Sequence, residues 1–486
     1  MPLKVLIIGA GVCGPAFATL LRRADPSLTA YDITIIERSP KLRSKGLQID
    51  LRAQGIPIVK KMGLIDAIRS RVVPEQGVCF VDGRGRPFAT FGKNDSGRGA
   101  QAMTSEYEIM RGDLVDVLYR ASLGLSPYKN NDDDDNDDDD DGNPTTTEAG
   151  NVRYQFGVTV AQLTQPEDGS AVEVTFSDGR RATFDLVVGA DGQGSRTRRA
   201  LLESGGGGGD GGDACFRSLG MFTALFLVPR DAAADDGWMR CHMMPGRRMA
   251  MTRSADEKAP TQVYLAVQTD PGAAAATAGN GNGSGNGNEK GAGVGEDKYG
   301  IVAAMRQQSD VAAQREAWAR AFAGAGAGWR VPAFVDALRH RVRDEDFYAA
   351  EIGQVRSPAL ARGRVALLGD AGYCPSPITG MGTTLSLTGA YVLAGELAAR
   401  RHAPAGVPAA LRAYADAVRP FVDEAQRLTP GVPRILYAES RWGVWLLTTV
   451  IALLSRLRII DFLVRILPEN KGGLAIPEYP ELNLGN

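Results

Sequence analysis

The sequence predicts an α/β fold in which a discontinuous parallel-sheet domain, a sheet-rich second domain threaded through it and a C-terminal helical segment share one chain. Three observations predict it. An apolar strand from Lys4 to Ile8 runs into Gly9-Ala-Gly11-Val-Cys-Gly14 and a helix, and a second strand from Ile33 to Glu37 follows. Far downstream, the strand over 365–368 ends in Gly369-Asp370, after which Gly380-Met-Gly382 opens another helix. In between, from about 215 to 350, segments such as Gln262 to Gln268 show the alternation of half-buried strands.

Composition sets the outer limits. At 486 residues with 44% hydrophobic content, the chain is long enough for two or three domains around at least one large core. Its 55 cations and 57 acids leave a net charge of −2, but nine of the acids belong to one aspartate run between Asn130 and Pro144. Setting that run aside leaves 55 cations against 48 acids, a mildly basic body (+7) that gives no ground for nucleic-acid binding. Cys13, Cys79, Cys215, Cys241 and Cys374 include no Cys-x-x-Cys pair, and His242, His340 and His402 are scattered. Neither a disulfide framework nor a metal site is expected. Such thiols fit a reducing, cytoplasmic setting, and the N-terminal apolar run is too short for a signal-peptide core.

The individual elements follow in order. A helix over 15–23 completes a βαβ unit with the strands on either side of it. A helix over 110–119 starts beside Arg111 and carries Leu114, Val115, Val117 and Leu118 on one broad face. Runs at 152–163, 171–176 and 182–188 read as strands of a smaller sheet, and helices are expected over 311–323 and 383–398. The resulting division is a first domain at 1–75, 100–203 and 351–430, a second at 76–99 and 215–350, and a helical segment at 431–486. Stretches rich in Gly, Asn or Asp at 129–150, 204–214 and 271–297 are expected as disordered inserts. They bury too little apolar area to offset about 1–2 kcal/mol of backbone ordering per residue.

The two glycine turns carry the chemistry. In the first, Gly9 allows a tight turn, Gly11 lets backbone N–H groups approach a pyrophosphate, and Gly14 lets helix pack on strand. Glu37, followed by Arg38, ends the next strand where an acid accepts hydrogen bonds from ribose hydroxyls and disfavours a 2′-phosphate. This is a Rossmann-like site for FAD or NAD rather than NADP. The second turn chooses between them. Asp370 can hold a ribityl hydroxyl, and the helix start at Gly380, Gly382 and Thr383 can turn N–H groups toward the electron-rich edge of an isoalloxazine. NAD has neither feature, so non-covalently held FAD is the expected cofactor.

With these turns in place, the chain resembles the FAD-dependent aromatic-hydroxylase family, the para-hydroxybenzoate hydroxylase-like flavoprotein monooxygenases. In motif style it is nearer to the tetracycline-inactivating and polyketide-modifying members. A third mark of the resemblance is Asp191-Gly192 in DLVVGADGQGSRTRR, and the likeness spans roughly 4–430 outside the inserts. It implies Glu37 on ribose, Arg111 on the flavin side of its helix, Asp370 near the ribityl–pyrophosphate region and Gly380 to Thr383 beneath the ring. Gly46 falls in a segment that passes close to the flavin, and Asp191 and Arg196 serve both FAD and the reduced pyridine nucleotide. The resemblance also implies NADPH or NADH as a transient co-substrate, O2, and a flavin C4a-hydroperoxide that oxygenates an electron-rich substrate. The chain departs from the family where Ala371-Gly372-Tyr373 replaces the Ala-His found after Gly-Asp in many members. No catalytic acid or base follows; His242 on a strand, and Tyr373 with Cys374, are the weak candidates near a substrate.

From Arg441 to Pro468 the chain reads RWGVWLLTTVIALLSRLRIIDFLVRILP. Its uncharged core, Trp442 to Ser455, would rise about 21 Å as a helix, short of the roughly 30 Å of hydrocarbon in a bilayer. Further on, Arg458, Asp461 and Arg465 share a narrow stripe opposite a broad apolar side. Two placements stay open: packing on the body, or a peripheral membrane contact through 442–467 with Trp442 and Trp445 at the boundary.

The expectation is an FAD-dependent monooxygenase that takes electrons from NAD(P)H and oxygenates a small hydrophobic aromatic, polyketide or terpenoid-like molecule in secondary metabolism. The rivals are an FAD-dependent oxidase or dehydrogenase without oxygen transfer, and a non-catalytic FAD-binding scaffold. A flavin-dependent halogenase is disfavoured, because the close tryptophan pair Trp442 and Trp445 sits near the C-terminus.

Overall fold

The computed structural model describes the chain except residues 44–46, 94–105, 129–145, 167–168, 204–212, 233–234, 257, 270–296, 307–309, 325–327, 404–405, 429–433, 459–473 and 486. The chain opens with β1 (Leu3–Ile8), α1 (Cys13–Ala24) and β2 (Tyr31–Glu37), then crosses through β3 (Gln48–Leu51), α2 (Gly55–Lys61) and α3 (Ile65–Arg69). The strands β4 (Gly77–Val81) and β5 (Pro87–Gly92) reach a second sheet, and β6 (Tyr107–Met110) with α4 (Arg111–Ser122) returns. Next come β7 (Thr146–Ala149), β8 (Val152–Phe156), β9 (Val160–Thr164), β10 (Val172–Phe176), β11 (Arg181–Phe184), β12 (Leu186–Gly189) and α5 (Arg196–Glu203). The second sheet is built by β13 (Phe216–Val228), β14 (Trp238–Met244), β15 (Arg248–Ser254) and β16 (Thr261–Gln268), followed by α6 (Ile301–Arg306), α7 (Val311–Phe322), α8 (Val331–His340) and β17 (Tyr348–Val355). The chain closes with β18 (Ala361–Arg362), β19 (Val365–Leu367), α9 (Asp370–Tyr373), α10 (Gly382–Ala399), α11 (Gly406–Ala425) and α12 (Arg441–Arg456).

Five parallel strands in the order β19-β12-β1-β2-β8 form the first sheet, with β18 and β7 antiparallel at its edges. Strands such as Val5 to Ile8 and Leu186 to Gly189 are apolar throughout because both faces of a parallel sheet are covered. On one side α1, α4 and α10 pack against it, and α10 is buried on nearly every side, as its apolar residues, spread all round the helix, require. On the other side, Leu6, Val187, Val365 and Leu367 meet Phe176 and Phe184 of the small sheet β11-β10-β9 and Leu201 of α5.

Three expectations are corrected here. The run over 152–163 is two strands in different sheets, divided at Gly157 (φ +72°), where β8 leaves the parallel sheet. The run over 182–188 likewise divides at Asp185, whose carboxylate accepts the Lys4 N–H at 2.8 Å, so β11 and β12 belong to different sheets. Of the insert expected at 129–150, Thr146–Ala149 forms β7 against β8; residues 129–145, 204–212 and 270–296 lie outside the described residues.

The second sheet runs β17-β13-β16-β15-β14-β4-β5. One face packs on the helices through Phe222, Phe226, Leu265, Trp318, Phe322 and Phe334. The opposite face, selected by the two-residue period, carries Met221, Met239, Met243, Met249 and Met251. Helix α12 covers part of that face with Val444, Leu447 and Ile451, and Ser455 Oγ bonds both the N–H (3.2 Å) and the carbonyl (3.1 Å) of Thr90 on the edge strand. Its outer side leaves Trp442, Trp445, Leu446, Val450, Leu453 and Leu457 exposed. Among the described residues, no helix is long and apolar enough to cross a membrane.

Candidate active site

The first turn is set by close backbone approach. Gly9 takes φ +113°, and a Cβ there would collide with the Ala190 carbonyl, while a Cβ on Gly14 would collide with the carbonyl of Gly9. Helix α1 then starts with Val12 as its N-cap, with no side-chain cap among the described residues and no acid in its first turn. Its leading N–H groups are therefore left for an anion. Glu37 is buried at the end of β2, where its carboxylate accepts the N–H groups of Ala10 and Ser39, each at 3.0 Å, with Arg43 at 3.4 Å. A carboxylate has about four acceptor positions, so capacity remains for ligand hydroxyls. Arg38 beside it is exposed.

The second turn touches the first. Gly369 (φ +64°) leaves β19 so close to Cys13 that a Cβ on the glycine would collide with Sγ. Burial raises the Asp370 carboxyl above its ordinary range, against the pull of a Cys374 hydrogen bond and the positive charge of Arg111. The Arg111 guanidinium lies 3.4 Å from where a Cβ on Gly11 would sit. The Cys13 thiol, buried between the turns, is pushed up to about 12 by desolvation. Downstream, Gly380 takes the left-handed conformation (φ +62°), and α10 begins after Met381 with no side-chain cap among the described residues and no acid in its first turn. Thr383 is half-buried in that first turn, and a Cβ on Gly382 would meet nothing within 4 Å. A cavity of about 300 Å³ beside this turn is lined by Gln54, Thr379, Met381, Thr384 and Phe421 among others, and includes none of Gly11, Glu37 or Arg111.

Two uncapped helix N-termini, a carboxylate at each end and one guanidinium between them fit a long ligand with an anionic middle and hydroxyls on either side of it. Over residues 2–279 the chain matches the family described as FAD binding domain. It is 36% identical to the FAD-dependent monooxygenase asL6 of Sarocladium schorii, over 99% of each chain. The chain belongs to the FAD-binding-domain family. Its full-length relationship to that relative makes it an FAD-dependent monooxygenase. Its fold is that of the tetracycline destructase Tet(51), with a TM-score of 0.64 at 24% identity over 99% of this chain and 100% of that one. It is also that of Klebsiella pneumoniae HpxO, solved with FAD and uric acid, with a TM-score of 0.58 at 19% identity over 95% and 96%.

Around these turns, other residues named from sequence fall differently. Asp191 caps α5, accepting the Ser195 hydroxyl at 2.6 Å and the N–H groups of Arg196 and Thr197 at 2.9 and 3.1 Å. Arg196 is exposed. Arg198, two residues on, is buried and donates to the Ala371 carbonyl at 2.7 Å and to Gln193 O at 2.8 Å, tying the Asp-Gly loop to the Gly-Asp turn. The signal was there: Arg198 shares the inward side of α5 with Thr197 and Leu201. Tyr373 is fully buried, with its hydroxyl 2.9 Å from that of Tyr414, which donates to Leu367 O at 2.8 Å. Cys374 is buried as well. His242 sits on the helix-packed face of the second sheet, its Nδ1 3.2 Å from Val81 O and its ring against Trp329. Desolvation lowers its pKa, which favours a neutral packing residue there. Gly46 lies outside the described residues.

One buried group had no sequence signal at all. Arg253 on β15 holds Glu75 through two bonds of 2.7 and 2.8 Å and also meets Glu108 on β6. Burial pushes the Glu108 carboxyl up to about 8, with Arg253 opposing the shift and Glu75 and Asp50 adding to it. An unfolded chain gives up this proton near 4.5 and the folded one only near 8, so between those values the folded state binds more protons. Stability is therefore expected to fall as pH rises through that window, and Glu108→Gln to flatten the slope in thermal melts; an unchanged slope overturns the assignment. Gly11→Val, which fills the space beside Arg111, is expected to weaken FAD binding at least about tenfold by flavin fluorescence titration, with the fold intact by circular dichroism.

Proposed function

We propose that this monooxygenase takes electrons from NADPH or NADH and transfers one oxygen atom of O2 to a small hydrophobic aromatic, polyketide or terpenoid-like molecule in secondary metabolism. The observation that carries the reading is the contact of the turn after β19 with the start of α1, where Gly369 meets Cys13 and Arg111 lies beside Gly11 and acts on Asp370. FAD, when bound and reduced, supplies the oxygen-activating chemistry.

The chain's own residues bind, orient and exclude water. The backbone at Gly9, Gly11 and Gly14 with the α1 N-terminus would hold the pyrophosphate, Glu37 the adenosine ribose, and Asp370 the ribityl hydroxyls. Gly380, Gly382 and Thr383 would lie beneath the flavin ring, where the α10 N-terminus and Arg111 favour negative charge on the reduced form. The Asp191 loop, open at Gly192 and Gly194 where a Cβ would meet nothing within 4 Å, offers the approach for the nicotinamide. Met221, Met239 and Met251, partly exposed on the second sheet, would give an adaptable apolar wall for the substrate.

The purified protein is expected to be yellow and, with substrate, NAD(P)H and 18O2, to give a product heavier by one 18O atom by mass spectrometry. Stoichiometric hydrogen peroxide with no labelled product across substrates would favour the oxidase reading. The exposed apolar side of α12, flanked by Arg441, Arg456 and Arg458, further supports peripheral contact with an anionic lipid surface. Co-sedimentation with phosphatidylserine vesicles is expected to drop at least about tenfold in a Trp442→Ser, Trp445→Ser variant; equal recovery of both proteins would overturn that contact.

A further inference from the structure

The ribbon β3–β6 joins the cofactor cleft to the second sheet, and it carries polar atoms that the reading above leaves without a task. At the cleft end, Asp50 Oδ2 lies 3.5 Å from where a Cβ on Gly380 would sit and pairs with Arg52 at 2.8 Å. Thr384 of α10 fixes the same end by bonding the N–H of Arg52 at 3.1 Å and its carbonyl at 2.7 Å. At the inner end, Gln48 Nε2 donates to Glu75 at 3.3 Å, and Glu75 and Glu108 hold Arg253. By the two-residue period, Arg253 shares its face of β15 with Met249 and Met251.

Three oxygens in this ribbon are buried and have no hydrogen-bond partner among the described residues, Gln48 Oε1, Asp50 Oδ1 and Glu108 Oε2, and Arg52 Nε beside Asp50 is likewise unpartnered. Gln48 is 7% exposed, and it and Asp50 point from the same strand face, being two apart on β3. Gln48 Oε1 and Asp50 Oδ1 accept and Arg52 Nε donates, so the group that would satisfy them both donates and accepts, as a hydroxyl does. The surrounding charges reinforce that choice. With Glu108 holding its proton up to about 8, the carboxylates Asp50 and Glu75 balance the guanidiniums Arg52 and Arg253, which suits a neutral O–H rather than a charged ligand.

Resting on the monooxygenase reading, the geometry points to Asp50 and Gln48 as the acceptors that bind a hydroxyl group of the substrate and so decide which substrates enter. A phenolic O–H donated to a carboxylate leaves more electron density on the ring, which suits attack by an electrophilic oxygen. The Glu75–Arg253–Glu108 group positions Gln48 through the bond from Gln48 Nε2 to Glu75. The substrate this favours is neutral and hydroxylated at one end, apolar along the rest.

The test uses the FAD-loaded protein and two probes, resorcinol and 1,3-dimethoxybenzene, titrated against the visible absorbance of the bound flavin. Resorcinol is expected to bind at least about tenfold more tightly than its dimethyl ether. Asp50→Asn and Gln48→Met are each expected to bring that ratio down toward one while FAD affinity stays as in the wild type. Equal binding of the two probes by the wild-type protein, or binding of neither, overturns the inference without any variant. If instead the substitutions loosen FAD or alter its spectrum with no probe present, the two acceptors serve the cofactor and the inference also fails. A yellow protein that NAD(P)H reduces but that prefers the ether keeps the monooxygenase reading and loses this one; a protein that takes up no FAD loses both.

Discussion

The site depends on the contact between the start of α1 and the turn after β19, where Gly369 sits against Cys13 with no room for a side chain. The sheet order explains why the two meet. β1, β12 and β19 are adjacent and parallel, so their C-terminal ends emerge along one edge although they are far apart in the chain. Gly9 packs on Ala190, and the Leu368 N–H reaches Gly189 O at 2.9 Å, so each turn is pinned to the next strand's end. Ligands of open α/β sheets bind at that edge for this reason.

What the edge presents is mainly positive potential. Neither α1 nor α10 has a side-chain cap among the described residues, in contrast to α7 and α12, whose N-termini are closed by Asp310 and Ser440. Leaving the donors open costs stability in the empty protein and is sustained by burial elsewhere on α1 and α10. Arg111 adds a full charge beside Gly11 at the start of α1, and the buried Asp370 within its reach limits how far that charge accumulates.

Much of this was legible because it is local. A strand, a glycine turn and a helix are written in consecutive residues, so β1, β2, β19, α1 and α10 could be read directly, as could the three turns at their ends. What failed depends on the partner across space or on a phase error of one or two residues. His242 and Cys241 alternate along β14, and only the packed sheet shows that the histidine faces the helices. Arg196 and Arg198 differ by two positions on α5, which turns one outward and buries the other. Tyr373 follows the Gly-Asp turn yet belongs to the core, because Tyr414, forty-one positions later, meets its hydroxyl. The Glu75–Arg253–Glu108 group draws on three separate segments and has no spacing that a sequence could display.

These placements give the second sheet two unlike ends on a single face. Toward β4 and β5 it is thioether and aromatic, closed over by Val444, Leu447 and Ile451 of α12. Toward the β3–β6 ribbon the same face turns polar at Arg253 and Tyr264, and the Tyr264 hydroxyl is already committed to Gln262 at 2.8 Å. Methionine walls adapt to shape and discriminate weakly, whereas a buried carboxylate and amide discriminate by whether a donor is present. On the proposed reading, selectivity therefore resides at the polar end, beside Gly380, while the apolar end can vary its occupant.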